Sequence, residues 1–341
     1  DGVGLEERSA ATGRWGEVGA ELLAAKPRTE RKDCARERNP AGELLVMRPW
    51  AIVASATAVF SLSFGGGPTL ALAEGKADRP PFTVVLDAQP LSEPWYSQTS
   101  FGGVLKGEKV VEGCHMPSAQ RYVEDNFLSE EERKILLNMV ERGMTGRSTE
   151  GGPTILDINS GYCKDSDGLV NIYEGKNKVT FSELEYATYR GMFERIRLRI
   201  MKVNGLKELY FTAPTFVARI IGSENWTPKE AHDEYWHAHV DKENTFHYDY
   251  SGLVYLSTYE EDFEGGEFLF LGRDENMAIM PRSGRFITFA SGRENPHRLL
   301  QVTKGVRYVF SMWFTCDKTK VFRTFLDGES HQTLLSAKDE L

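Results

Sequence analysis

Cysteine is scarce in this chain. Cys34, Cys114, Cys163 and Cys316 are the only four in 341 residues, and their wide spacing excludes both a disulfide-dense scaffold and a CxxC zinc module. Positive charge is also in deficit. Lys and Arg number 41 against 50 Asp and Glu, a formal charge of -9, which excludes general affinity for nucleic acid, because that requires clustered cations to displace counterions from phosphates. No long-range repeat recurs, so a solenoid is excluded as well. What is present is 40% hydrophobic and 11% aromatic residues, enough for at least one sizeable core in one or two domains. Selectivity must then come from a local site.

The two ends carry addressing signals. Residues 1–46 contain no Met and no hydrophobic period, and are expected to be leader sequence or disordered. Residues 47–73 begin Met47-Arg48-Pro49-Trp50, continue through the apolar run from Ala51 to Phe64, and close with Ala71-Leu72-Ala73, the plan of a secretory signal. Gly65, Gly66, Gly67 and Pro68 interrupt that stretch, which favours a cleaved signal over a membrane anchor, for which ~20 apolar residues are needed. The chain meets a membrane only if this segment is an uncleaved anchor. Lys338-Asp339-Glu340-Leu341, at the end of a tail spanning 318–341, is an address read by the KDEL receptor. Together the signals predict the lumen of the endoplasmic reticulum. That oxidising compartment permits a disulfide among Cys114, Cys163 and Cys316 without saying which is left free. Asn225-Trp226-Thr227 is a glycosylation sequon consistent with it.

Between the ends, residues 74–120 are rich in Pro, Gly and Ser and read as an extended lumenal segment with one strand-like patch, Phe82 to Leu86. Ser129 and Glu132 have capping-box spacing, so a helix starts there, with Ile135, Leu136, Met139 and Val140 on one face and an end at Gly143. The glycine-rich stretch 144–168 reads as loop. Ser182 and Glu185 repeat the capping signal, and Tyr189, Phe193, Ile196, Ile200 and Val203 recur at helical steps until Asn204-Gly205. Strands are expected at 216–221, 252–257, 267–271, 286–289 and 306–314. Two helices followed by strands predict a mainly β fold, a sandwich or a jelly roll, with N-terminal flanking helices packed on one face. The loops at 144–178 and 242–250 are expected to frame its entrance, with Trp236, Tyr248 and Tyr250 either lining a groove or capping the core.

The chemistry concentrates in the strand-rich half. His237, His239 and Asp241 alternate and on a strand would share one face. With a third ligand from His297, a pair of His and one carboxylate leave metal positions open, as non-haem Fe(II) needs to bind a co-substrate and O2 together. His237 then contacts the site from beside the metal, or else replaces His239 in an HxH set. Arg307 lies in an alternating strand, sharing a face with Val309, Ser311 and Trp313 and opposite Val306, Tyr308, Phe310, Met312 and Phe314. A buried Arg needs an anion, and its planar fork suits a carboxylate, either that of a nearby Glu in a salt bridge or, as its position ten residues after His297 favours, that of a dicarboxylate co-substrate. Tyr255 is placed to add a hydroxyl to the same carboxylate or to serve as a core aromatic.

The ordered series His239-x-Asp241, Tyr255-Leu256-Ser257, Gly265-Gly266-Glu267, Pro281-x-x-Gly284, Asn295-Pro296-His297 and Gly305-x-Arg307-Tyr308 resembles the prolyl 4-hydroxylase superfamily of 2-oxoglutarate- and Fe(II)-dependent dioxygenases. The likeness runs from about Phe127 to Cys316. It implies a double-stranded β-helix, cupin-like in form, with a catalytic domain over 121–317. It implies Fe(II) on His239, Asp241 and His297, and 2-oxoglutarate on Arg307 with help from Tyr255. The implied reaction consumes O2 and 2-oxoglutarate, is supported by ascorbate, and hydroxylates a peptidyl residue, foremost proline, of a secretory-pathway protein, giving succinate and CO2. The alternatives are another side chain or a small molecule as target, or a non-catalytic metal-binding β-sandwich. Segments 224–229 and 246–250, which bracket the HxD segment, differ from those of collagen-type prolyl hydroxylases.

Overall fold

Both capping signals start helices. In the computed structural model, Ser129 Oγ accepts the Glu132 N–H at 3.2 Å and the Glu132 carboxylate accepts the Ser129 N–H at 2.9 Å, opening α1 over Glu130–Gly143. The reciprocal pair Ser182 and Glu185 opens α2 over Glu183–Asn204, which Gly205 ends in the left-handed region at φ 64°. Glu132 does a second task. It receives two hydrogen bonds from Arg195 of α2, at 2.8 and 3.1 Å, and so ties the helices together.

The structure describes residues 84–322 apart from short breaks at 101–102, 104–109, 115–117, 148–150, 229–233 and 273–275. The segments 1–46 and 47–73, the KDEL tetrapeptide, Phe82, Thr83 and His232 lie outside the described residues. Every described residue falls within the compact unit that contains Pro81–Leu341. Among the described residues no helix is long and apolar enough to cross a membrane.

The strands in chain order are β1 (Val84–Leu86), β2 (Trp95–Ser100), β3 (Ser118–Glu124), β4 (Pro153–Leu156), β5 (Tyr162–Asp165), β6 (Gly168–Asn171), β7 (Tyr210–Phe211), β8 (Phe216–Ile221), β9 (Tyr250–Tyr255), β10 (Phe263–Gly265), β11 (Phe268–Phe270), β12 (Met277–Ile279), β13 (Phe286–Ala290), β14 (His297–Leu299) and β15 (Val302–Thr315). A large sheet runs β2-β3-β13-β9-β15-β8-β4-β5-β6, with β7 and β10 also pairing with β15. A small sheet runs β1-β12-β11-β14. The chain is a jelly roll backed by helices, as expected.

Strand alternation gives the large sheet two different cores. On one face, Tyr250 and Val254 of β9 and Phe310, Met312 and Phe314 of β15 pack with Leu136 and Met139 of α1 and Phe193, Ile196 and Ile200 of α2. On the other, Tyr255, Val309, Val123, Ile287 and Phe289 meet Phe268, Phe270, Met277 and Ile279 of the small sheet. Three layers result, and the residues of chemical interest occupy the inter-sheet one.

The structure corrects the glycine-rich stretch 144–168. It contains β4 and β5 and begins β6, an antiparallel extension of the large sheet, and the glycines at the strand junctions take positive φ, 80° at Gly161 and 121° at Gly168. In the segment read as extended, β1 falls on the strand-like patch, and β2 and the start of β3 are further strands. The disulfide joins Cys114 to Cys316, 202 residues apart, and leaves Cys163 buried and free. Burial pushes the Cys163 thiol up to about 11, so it is an inert core group rather than a nucleophile.

Candidate functional site

His239 and His297 are fixed by each other's backbone. Each N–H donates to the other's carbonyl at 2.9 Å in an isolated antiparallel bridge, which brings the imidazoles to a centroid separation of 4.4 Å. Asp241 reaches them differently from expectation. The HxD segment is not a continuous strand, because Val240 is the last extended residue and Asp241 opens the short helix α3 (Asp241–Asn244). This turn, not strand alternation, points the carboxylate at the histidines. Asp241 Oδ1 lies 3.5 Å from His239 Nε2 and Oδ2 lies 3.8 Å from His297 Nε2. One donor atom from each of the three residues lies within 4.8 Å of the others. Ligands at right angles on a metal about 2.1 Å away sit about 3 Å apart, so a modest contraction accommodates an ion. His237 stands apart: it is exposed, and its Nδ1 meets the Glu234 carbonyl at 2.5 Å.

The hydrogen bonds select the ligand nitrogens. His239 Nδ1 faces the His237 carbonyl at 3.1 Å and His297 Nδ1 faces the Asn295 carbonyl at 2.9 Å. A carbonyl only accepts, so each Nδ1 carries a hydrogen and each Nε2 is the nitrogen turned toward Asp241, the one left to bind a metal. Ser251 Oγ donates to Asp241 Oδ2 at 2.6 Å and itself meets Ser291 Oγ at 2.7 Å. Burial alone would raise the Asp241 carboxyl, but His297, His239 and Ser251 outweigh it and hold the group well below the carboxylate range. Burial pushes His297 down to about 4 against the opposing pull of Asp241. For His239, burial acts downward too, yet the contact with Asp241 outweighs it and the net shift is upward. A buried carboxylate facing two imidazole Nε2 atoms is the donor set of a divalent cation, which takes the place of any proton between them.

Arg307, 1% exposed, projects from β15 into the same inter-sheet layer. Its Nε donates to the Gly266 carbonyl at 3.2 Å, and among the described residues no carboxylate lies within ion-pair distance of it. Its guanidinium carbon stands 5.2 Å from the Tyr255 ring centroid. Tyr255 is fully buried and its hydroxyl has no hydrogen-bond partner. Burial raises the Tyr255 hydroxyl, which Arg307 partly opposes, and burial lowers the Arg307 guanidinium from its usual value. A guanidinium with spare donors beside an orphaned hydroxyl is what a carboxylate of a small co-substrate requires. Gly266 makes room for it. Its φ is +69°, and a Cβ there would lie 2.9 Å from Arg307 Cδ.

All five expected residues therefore reach the inter-sheet layer, where Phe268 and Phe289 connect the two groups: both rings belong to the cluster containing Tyr255 and stand 5.3 and 4.9 Å from His297. Of the three aromatics noted near the entrance, Tyr248 is buried and stacks on Trp313 at 5.0 Å, and Tyr250 is buried with its hydroxyl on the Cys114 carbonyl, so both belong to the core. Trp236 is half-buried and packs with Trp226 and Tyr235. Sequence reasoning missed Ser251 and Ser291. The alternation of β9 carried a signal for the first, since Ser251 shares a strand face with Tyr255.

Residues 228–315 match the model of the 2OG-Fe(II) oxygenase superfamily. The chain is 39% identical over 216 residues to the rat 2-oxoglutarate and iron-dependent oxygenase domain-containing protein 3, covering 62% of this chain and 68% of that protein. It is 40% identical over 108 residues to human prolyl 3-hydroxylase 2, covering 27% of this chain and 15% of that one. Among solved structures, a Trichoplax adhaerens prolyl hydroxylase in complex with a hypoxia inducible factor peptide fragment aligns at a TM-score of 0.40 and 17% identity, over 59% of this chain and 85% of that one. The family calls for Fe(II), 2-oxoglutarate and O2, and the donor set and the unpaired buried guanidinium agree with the first two. The chain belongs to the 2OG-Fe(II) oxygenase superfamily, alongside the domain-containing protein 3 relatives, and is a 2-oxoglutarate-dependent dioxygenase.

Proposed function

We propose that His239, Asp241 and His297 hold Fe(II), that Arg307 and Tyr255 hold 2-oxoglutarate, and that the enzyme hydroxylates a peptidyl proline of a secretory-pathway protein in the endoplasmic reticulum lumen. The observation that carries the site assignment is the buried, anion-seeking pair Arg307 and Tyr255 in the same layer as a buried carboxylate between two imidazoles. When bound, the iron supplies the coupling of O2 and 2-oxoglutarate to a substrate C–H, with succinate, CO2 and the hydroxylated product as the balance. The chain's own residues do the rest. Arg307 fixes one carboxylate end of the co-substrate by charge and fork geometry, and Tyr255 donates to it. Phe268, Phe270 and Phe289 surround His297 and exclude water from the metal's inner side. Ser251 and Ser291 keep the Asp241 carboxylate in one orientation.

The proline target is supported by the prolyl hydroxylase relatives and by the half-buried aromatic cluster of Trp226, Tyr235 and Trp236 in the segment that leads into His239. The lumenal setting is supported by the signal-like and KDEL segments, by the Cys114–Cys316 disulfide and by the exposure of Asn225 in its sequon. In this reading the domain spans 121–317, ascorbate keeps the iron reduced, and the KDEL receptor returns the protein to the lumen. The test is succinate release by the purified chain with Fe(II), ascorbate and 2-oxoglutarate, with and without proline-bearing peptides. Mass spectrometry of the peptide should show one added oxygen on proline. Succinate release coupled to oxidation of another side chain would keep the dioxygenase and discard the proline. Asp241→Ala and His297→Ala are expected to lose tight Fe(II) binding while His237→Ala keeps it, and the reverse result would overturn the ligand assignment.

A further inference from the structure

We infer that Arg121 is a positioning residue for His297, acting through Asn295; the inference rests on the proposed role of His297 as an iron ligand. Arg121 lies on β3, beside Tyr122, which packs toward the helices, and on the same face as Val123, which packs between the sheets. It is 8% exposed, and its Nε donates to Asn295 Oδ1 at 2.7 Å while a terminal nitrogen donates to the Glu294 carbonyl at 3.3 Å. The guanidinium carbon sits 4.2 Å from the ring centroid of Phe270, the residue paired in register with His297.

Asn295 is held from the other side as well. Fully buried, it donates its side-chain N–H to the Ala290 carbonyl at 2.8 Å and its backbone N–H to the Gly292 carbonyl at 3.0 Å. Its own carbonyl is the acceptor for His297 Nδ1. The group that selects the His297 tautomer is thus part of a residue pinned at its side chain by Arg121. A planar fork can engage two acceptors on successive residues while its face covers an aromatic ring, which neither Lys nor an apolar side chain can do. Arg121 lies 174 residues from Asn295 and outside the matched stretch 228–315, so β3 completes a metal site whose ligands all come from elsewhere.

The test uses the full chain with Arg121→Met, Arg121→Gln and, as reference, His297→Ala. Fe(II) affinity is measured by anaerobic titration, ligand geometry by the visible absorption of the Co(II)-loaded protein, and folding by thermal unfolding in EDTA. Arg121→Met is expected to weaken Fe(II) binding about 10–100-fold and to alter the Co(II) spectrum. Arg121→Gln, which keeps one N–H for Asn295, should fall between Met and wild type. A folded Arg121→Met protein with Fe(II) affinity within twofold of wild type and an unchanged spectrum would overturn the inference, as would a lower unfolding temperature with neither readout moved. If the Met variant does not fold, the Gln variant decides on the same twofold criterion. Retention of Fe(II) by His297→Ala would instead remove the ligand assignment, and this inference with it.

Discussion

Arg285 and Arg307 are both fully buried, yet their surroundings differ in kind. Around Arg285, all five N–H donors are used: two on the Asp125 carboxylate at 2.6 and 2.9 Å, and three on the carbonyls of Asp87, Met280 and Gln89 at 2.6 to 3.0 Å. Around Arg307, one donor meets the Gly266 carbonyl, and a partnerless tyrosine hydroxyl stands nearby. The first arrangement is complete within the chain and locks β13 to the segments preceding β2 and α1. The second leaves guanidinium donors without a hydrogen bond among the described residues, with the buried Glu267 carboxylate acting on it through space but outside ion-pair distance. Burial of a cation is costly unless it is paired, so a region that leaves part of that cost uncovered agrees with the proposed 2-oxoglutarate site.

The sharpest test of that contrast is a matched pair of substitutions. Arg285→Met strands the Asp125 carboxylate and is expected to cost about 3–5 kcal/mol of unfolding free energy in urea titrations, with or without 2-oxoglutarate. Arg307→Met breaks no ion pair among the described residues and removes only the through-space attraction of Glu267. It should leave the ligand-free protein at least as stable as wild type, while weakening 2-oxoglutarate binding by about 2–5 kcal/mol in calorimetry on the Mn(II)-loaded protein. Equal destabilisation by the two substitutions would break the comparison and make Arg307 a structural residue.

How far these two regions were legible in the sequence follows from the range of the interactions. The capping boxes at Ser129 and Ser182 close within three residues, and both helices start where they predict. The burial of Arg307 was legible because strand alternation assigns its face, while its pairing with a co-substrate was read from its position ten residues after His297. Arg285 was not, because Asp125 is 160 residues away and nothing local marks the pair. The approach of Asp241 was misread for a different reason. Two-residue spacing fits a strand, but the chain turns into α3 at that residue, a choice assisted by Ser251 holding the carboxylate from β9. Residues 144–168 read as loop because their glycines mark hairpin turns, and composition does not separate the turns from the short strands they join.

Asp157 extends the contrast to the helix side of the large sheet. It is 3% exposed and accepts from the Asn159 N–H, Ser160 Oγ and Thr215 Oγ1. Burial raises its carboxyl to about 6 against those hydrogen bonds. An acid can relieve burial by keeping its proton, whereas an arginine cannot. Between about pH 4 and 6 the unfolded chain releases this proton and the folded chain retains it, so stability should fall as pH rises through that window and level off above it. The loss amounts to about 3 kcal/mol at most. Asp157→Asn should flatten that segment of the pH–stability curve measured by urea unfolding. An unchanged slope would place the proton elsewhere.

Tyr255→Phe gives the smallest expected effect and separates the two halves of the proposed anion site. In the ligand-free protein the hydroxyl is buried without a partner, so removing it should not lower stability and is expected to raise it by up to about 1 kcal/mol. With 2-oxoglutarate bound, the same hydroxyl would donate to a carboxylate, a charge-assisted bond whose loss weakens affinity by about 1.5–3 kcal/mol, that is, at least tenfold. A gain in stability together with a loss of affinity is a signature that a core tyrosine cannot produce. If the phenylalanine variant instead unfolds more readily and binds 2-oxoglutarate unchanged, Tyr255 is packing alone, and Arg307 holds the co-substrate without it.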